Sequence, residues 1–349
     1  MIQAIVIFGF LILTHELGHF IAAKWARITV LEFSIGMGPV LYQWTSGETD
    51  YSLRLLPIGG FVRMQGEDNF DEDEEGLPLP PPEPEGEKKT FAFPEVPLWK
   101  RFIVISAGAM MNFITALLVM LMLVGAQGVV GTTEVAKFDE DSLSSRSGLM
   151  VGDVITAVNG RSVHITTDVI YALLHAGDDP CTIEVERDGQ KLTLSNVAFP
   201  VGSGGYYELD FLFRRGSFHP LSILHEGFFR CLTIMREVYW SLGGMFTGEV
   251  SVNDLSGPVG TTQAISQVSQ QGFGALVYFA VFISINLGIV NLLPFPALDG
   301  GRLALLLLEK LRGKPLSPAV EGSINMIGML ILMALVVLVT FKDVRMLVG

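Results

Sequence analysis

The feature that most constrains this chain is a set of four long stretches almost free of charge. Met1–Ala23 carries one formal charge, Glu16. No Asp, Glu, Lys or Arg lies between Arg101 and Glu134, between Asp254 and Asp299, or between Glu321 and Lys342. About 20 apolar residues in a helix cross the hydrocarbon core of a bilayer. Each stretch is long enough, so the spacing predicts a polytopic helical membrane protein. A cleaved signal peptide does not fit the first stretch. It has no basic leading region and no small-residue cleavage site, and it carries polar groups inside the apolar run.

Composition adds one qualification. Formal net charge is −13, but residues 67–87 hold ten acidic residues and no basic one. Without that segment the charge is about −3, so the acidity is local, and nothing resembles a basic nucleic-acid face. Cys181 and Cys231 lie in no C-x-x-C motif, which argues against a thiolate metal site and reads as two free thiols. Lys24 and Arg27 follow the first span, Lys100 and Arg101 precede the second, and Arg302, Lys310, Arg312 and Lys314 separate the third and fourth. The positive-inside rule puts these ends in the cytoplasm and residues 130–215 outside, with Lys342 and Arg345 counting against it.

Between the spans the pattern changes. In 33–65, Val40, Tyr42 and Trp44 alternate with Leu41, Gln43 and Thr45, a turn follows at Ser46–Asp50, and Tyr51, Leu53 and Leu55 alternate with Ser52, Arg54 and Leu56. This period of two predicts a hairpin. Residues 66–97, acidic and then proline-rich, cannot bury enough apolar surface to offset their ordering entropy and read as a disordered insert. Residues 130–200 read as a compact α/β domain. Its stretch Gly148-Leu149-Met150-Val151-Gly152-Asp153-Val154-Ile155-Thr156-Ala157-Val158-Asn159-Gly160, with strands expected at 182–186 and 191–194, resembles a PDZ domain, a fold that takes a peptide as an added strand. Residues 219–248 place apolar residues at helical spacing but carry Glu226, Arg230, Arg236 and Glu237. They read as an amphipathic surface helix rather than a span.

The chemistry is carried by His15-Glu16-Leu17-Gly18-His19. Residues four apart share a helix face, so two imidazoles can bind one metal ion while the glutamate beside them takes a proton from water. Neutral imidazole suits Zn²⁺. Two histidines and a glutamate are costly inside a lipid-spanning run, which argues against a structural origin. A catalytic zinc site commonly takes a third protein ligand. His164, His175, His219 and His225 all lie away from the spans. Asp299 ends the long charge-free run, in Asn291-Leu292-Leu293-Pro294-Phe295-Pro296-Ala297-Leu298-Asp299-Gly300-Gly301. Its prolines break the helix, and irregular backbone at that depth is tolerated only against protein or a wet cavity.

Together these two motifs resemble the site-2 protease family of intramembrane metalloproteases, and within it the bacterial regulator-of-sigma-E branch with PDZ domains. The resemblance covers nearly the whole chain. It implies a polytopic α-helical membrane protein with about four transmembrane helices (1–28, 98–127, 272–298 and 320–341), a re-entrant membrane-associated β-hairpin and an extracytoplasmic PDZ-like domain. It implies an intramembrane zinc metalloendopeptidase with His15, His19 and Asp299 as zinc ligands and Glu16 as general base. Asn286, Asn291, Pro294 and Pro296 would contact substrate or shape its site. Implied partners are membrane lipids and transmembrane substrates already cut by a site-1 protease, such as an anti-sigma factor or a remnant signal peptide. The implied location is the bacterial inner membrane, with the active site toward the cytoplasm. The chain departs from the family in its single PDZ-like unit, in Gly108-Ala109-Met110-Met111-Asn112 where Gly-Pro-x-x-Asn is usual, and in its long acidic insert. An inactive scaffold, a transporter and a prenyl-protein protease compete. The first has no use for the four polar residues in lipid, the second needs internal repeats, and the third needs a different downstream ligand.

Overall fold

In the computed structural model, the described residues are 2–67, 90–176, 180–202, 205–248, 256–314 and 316–348. The expected disordered insert therefore falls, at residues 68–89, outside them. In chain order the elements are α1 (Ile2–Ala26), β1 (Val30–Ser46), β2 (Thr49–Met64), α2 (Leu98–Gln127), β3 (Gly131–Phe138), α3 (Leu143–Arg146), β4 (Val154–Val158), β5 (Arg161–Ser162) and α4 (Thr166–Leu174). They continue with β6 (Cys181–Arg187), β7 (Gln190–Val197), β8 (Phe211–Arg215), α5 (Pro220–Thr247), α6 (Pro258–Gln270), α7 (Phe273–Asn291), α8 (Asp299–Arg312) and α9 (Pro318–Val348). Two compact units result: residues 1–116 with 238–349, and residues 117–237.

Four helices, α1, α2, α7 and most of α9, are long and apolar enough to cross a membrane. The shortest, α7, has 19 residues, about 28 Å at 1.5 Å per residue, close to the ~30 Å hydrocarbon core. α1 stops because Arg27 adopts a left-handed φ of 63° and Ile28 N–H reaches back to the Ala23 carbonyl at 2.9 Å. That 6→1 bond satisfies an otherwise orphaned carbonyl. α1 and α2 touch backbone to backbone, since a Cβ on Gly18 would stand 2.4 Å from the Ala107 carbonyl oxygen. α7 ends at Asn291, seven residues short of the expected end of the third segment at 298, and the chain turns through 292–298 before α8 begins at Asp299. Gly300 and Gly301 allow this turn to lie on the first turn of α8. A Cβ on either would stand 2.2 Å from Leu293 O or 2.3 Å from Phe295 O respectively.

β1 and β2 form the hairpin that the alternation predicts, with Val40 opposite Arg54, Trp44 opposite Tyr51 and Ser46 opposite Thr49. β2 then runs further than the pattern suggests. Past Leu56 it returns along the other side of β1, so that Phe33 faces both Tyr51 and Val62. Buried Glu32 ties this ribbon together, accepting from Ser52 Oγ and from Arg54 Nη2 at 2.7 Å each. Such a paired and hydrogen-bonded carboxylate escapes the cost of an isolated buried charge.

The second unit holds an antiparallel sheet in the order β7-β6-β4-β3-β8, with β5 paired to β4. Asn159-Gly160 and Asp188-Gly189 have positive φ at both positions and join β4 to β5 and β6 to β7. Paired positive φ values mark the type I′ turns that match strand twist. α4 closes one face through Val169, Ala172 and Leu173, which meet Ile155, Ile183 and Val185 in the core. Fully buried Asp153 receives Arg187 Nε at 2.6 Å and Nη2 at 2.7 Å. The part of α5 in this unit packs on the domain. His164 stacks on Phe229 at 4.1 Å, His175 Nε2 lies 3.3 Å from Glu237, and Thr233 donates to Asp168. Cys181 and Cys231 are both buried and free.

Candidate metal centre

On α1, His15 and His19 project from one face, as a spacing of four requires. Their rings stand edge to face with Nε2 atoms 3.3 Å apart. Asp299, at the first position of α8, brings its Oδ2 to 3.3 Å from each of these nitrogens. The three atoms thus form an equilateral triangle. Donors held about 2.0–2.1 Å from a tetrahedral zinc stand about 3.3–3.4 Å apart, so the triangle has the edge that this ion requires.

Two further observations fit a cation. Asp299 Oδ2 is buried and makes no hydrogen bond, a state that is costly for an anionic oxygen without a positive partner. His19 Nδ1 lies 2.9 Å from the Val104 carbonyl. It must be the donor there, which leaves the lone pair of neutral imidazole on Nε2, facing the other two atoms. Space for the group is provided by α2. A Cβ on Gly108 would stand 2.2 Å from His19 Nε2 and 2.7 Å from His15 Cε1. Among the described residues, His15, His19 and Asp299 are the one group of three or more His, Cys, Asp or Glu side chains close enough to share an ion.

Two cavities meet at this cluster, and His15, Glu16 and Asp299 line both. One, of about 330 Å³, is bounded by Phe61–Met64 of β2 and by the charged residues Arg63, Glu67 and Arg302. The other, of about 250 Å³, is bounded by Ile12, Gly59, Gly60, Leu287, Leu298 and Asn291. Of the remaining residues singled out by sequence, Asn286 donates its amide to the Phe282 carbonyl of its own helix at 3.1 Å and lines neither cavity. Pro294 and Pro296 also lie outside both linings; Pro296 meets Gly328 of α9, where an added Cβ would stand 2.4 Å from its own. Sequence reasoning missed Gly108, Asn112, Ser284 and Arg302. The only sign of the first two was their place in the motif-like stretch of the second span.

The sequence that builds this site has relatives. Residues 3–335 match peptidase family M50. The chain belongs to that family. Among curated M50-like relatives, the zinc metalloprotease RasP of Bacillus licheniformis is 33% identical over 99% of this chain and 98% of its own. The regulator of sigma-W protease RasP of Bacillus subtilis is 32% identical with the same coverage. A putative zinc metalloprotease of Clostridium perfringens is 34% identical over 98% of both chains. This M50 peptidase is therefore a zinc metalloprotease of the site-2 protease family, with zinc as its cofactor and four helices that make it a multi-pass membrane protein.

Proposed function

We propose that this peptidase hydrolyses peptide bonds within membrane-spanning segments, with His15, His19 and Asp299 as its zinc ligands and Glu16 as its general base. The observation that carries this reading is the 3.3 Å triangle of donor atoms, two of them on a helix of membrane-crossing length and the third on α8. Zinc bound there supplies Lewis acidity and makes water a nucleophile near neutral pH. The Glu16 carboxylate, next to His15 and lining both cavities, takes the proton of the attacking water and returns it to the leaving amide nitrogen. Asn291 lines the more apolar cavity beside Asp299, which supports it as a donor to the substrate carbonyl as negative charge develops.

A helical substrate must unwind before its carbonyls are open to attack, and bare backbone groups in lipid cost several kcal/mol each. Gly60–Met64 offers replacement partners. One side of this segment pairs with β1, while among the described residues no strand pairs with the other, and Phe61–Met64 line the larger cavity. The substrate adds as a strand there. Exposed Val40, Leu41, Tyr42 and Trp44 give the hairpin tip an apolar surface suited to the bilayer. The basic residues flanking the spans, Lys342 and Arg345 apart, support a catalytic side toward the cytoplasm and a PDZ-like unit outside. The name of the Bacillus subtilis relative, a regulator of sigma-W protease, supports a regulator of a sigma factor as substrate; the form we propose for it is a single membrane span already trimmed on its outer side. A remnant signal peptide presents the same single span.

The test compares membrane fragments from cells carrying wild type or Glu16→Gln. The variant keeps its zinc and loses cleavage. Full proteolysis by Glu16→Gln removes Glu16 from the mechanism, and undiminished zinc content in Asp299→Ala removes the third ligand.

A further inference from the structure

The two histidines are oriented by different means. His19 has a backbone carbonyl at its Nδ1. His15 Nδ1 instead faces a side chain, the amide of Asn112 on α2, at 3.1 Å. Asn112 is wholly buried in a helix long and apolar enough to span the membrane, where a polar side chain must have a partner. Its backbone carbonyl accepts from Ser284 Oγ of α7 at 2.9 Å, so the residue is fixed from a third helix. Its side-chain oxygen has no partner at all, while its nitrogen points at the imidazole.

These facts conflict as they stand. An imidazole that offers its Nε2 lone pair to a metal carries its proton on Nδ1, and an amide NH₂ cannot accept that proton. The oxygen and nitrogen of an asparagine amide are nearly the same in shape, and their assignment follows the hydrogen-bond network. Turning the amide by 180° puts Oδ1 3.1 Å from His15 Nδ1 and removes the unpartnered acceptor from its donor-free position. We propose that Asn112 is a positioning residue for His15: its amide oxygen accepts the Nδ1 proton and locks the ring in the tautomer and orientation that aim Nε2 at His19 and Asp299. Ser284 in turn holds the α2 backbone at Asn112. The inference rests on the reading of His15 as a zinc ligand. It identifies the only side chain among the described residues that bonds the outer nitrogen of either histidine.

The experiment measures Zn²⁺ affinity of the full chain in detergent by competition with a chromophoric chelator. Asn112→Leu keeps the branched shape at somewhat larger volume and removes the acceptor; Asn112→Asp keeps an acceptor. Loss of such an outer partner typically weakens metal binding about 10–100-fold. Asn112→Leu falls by that factor, and Asn112→Asp stays close to wild type. A role in packing alone predicts the reverse order, because leucine suits the interior better than a carboxylate. If Asn112→Asp does not fold, ¹⁵N spectra of imidazole-labelled, metal-free protein decide. Wild type then shows His15 protonated at Nδ1, and Asn112→Leu shows mixed tautomers. Wild-type zinc affinity in Asn112→Leu, or an unchanged His15 tautomer, overturns the inference. His15→Ala separates the two readings: if it binds zinc as tightly as wild type, the ligand assignment fails, whatever Asn112 does.

Discussion

Replacing Gly108 by alanine adds one methyl group to the middle of α2, and its consequence can be worked from distances. The new Cβ would stand 2.2 Å from His19 Nε2, roughly 1.2 Å inside the 3.4 Å limit of ordinary contact, and 2.7 Å from His15 Cε1. Relief is hard to find. His19 is held at its other nitrogen by Val104, one turn earlier on the same helix as Gly108. α1 and α2 already meet backbone to backbone at Gly18 and Ala107. Metal ligands tolerate displacements of about 0.2 Å, so a shift near 1 Å effectively removes a ligand. We expect zinc affinity to fall at least ~100-fold, about 2.7 kcal/mol. Helix stability moves the other way, since alanine is favoured over glycine by about 0.5–1 kcal/mol inside a helix. The assay is chelator competition on purified protein, with the unfolding temperature of the metal-free form measured beside it. Gly125→Ala in the same helix is the control, because nothing lies within 4 Å of its added Cβ. Gly108→Ala with wild-type zinc affinity refutes the argument that the two imidazoles converge beneath this glycine.

Other expectations test different parts of the molecule. Asp153→Ala removes the buried partner of the Arg187 guanidinium, which is 23% exposed and keeps the Gly148 carbonyl, so the loss falls below that of a fully buried pair, at about 1–3 kcal/mol. Limited proteolysis then cuts residues 117–237 at lower temperature than in wild type, and unaltered protection contradicts the assignment. Burial pushes the Cys231 thiol up to about 12 and raises that of Cys181 as well, so neither forms much thiolate near neutral pH. Maleimide labelling is slow in the folded protein and fast after denaturation; fast labelling of native protein argues against this packing. A strong chelator abolishes proteolysis and added Zn²⁺ restores it, whereas cleavage that survives verified zinc removal rules out the metal's role.

The site was readable in sequence to the extent that lipid makes polarity conspicuous. His15, Glu16 and His19 stand out because they interrupt an apolar run. Asp299 stands out because it is the first charge after a long stretch without one. Gly108 and Asn112 carry no such mark. A glycine is unremarkable in a span, and one neutral amide does not reveal that it faces a histidine on another helix. The hairpin was legible where residues alternate, over 40–44 and 51–55, but not where β2 returns along β1. There Pro57-Ile58-Gly59-Gly60 has the composition of a loop, and only tertiary pairing makes it strand. Helix α6 escaped notice because its glutamines, serines and threonines merge into the same charge-free run as α7. In residues 117–237 the Asn-Gly and Asp-Gly turns are written in the sequence, so β4 to β7 follow from local chemistry.

The proposed zinc site joins residues 15 and 19 to residue 299, with most of the chain between them. A ribosome must therefore finish nearly the whole protein before the three donors can meet. Until residue 299 has emerged, the growing chain holds the two imidazoles without the Asp299 carboxylate that completes their triangle. On the proposed ligand set, the site is therefore incomplete for most of the time the chain takes to grow.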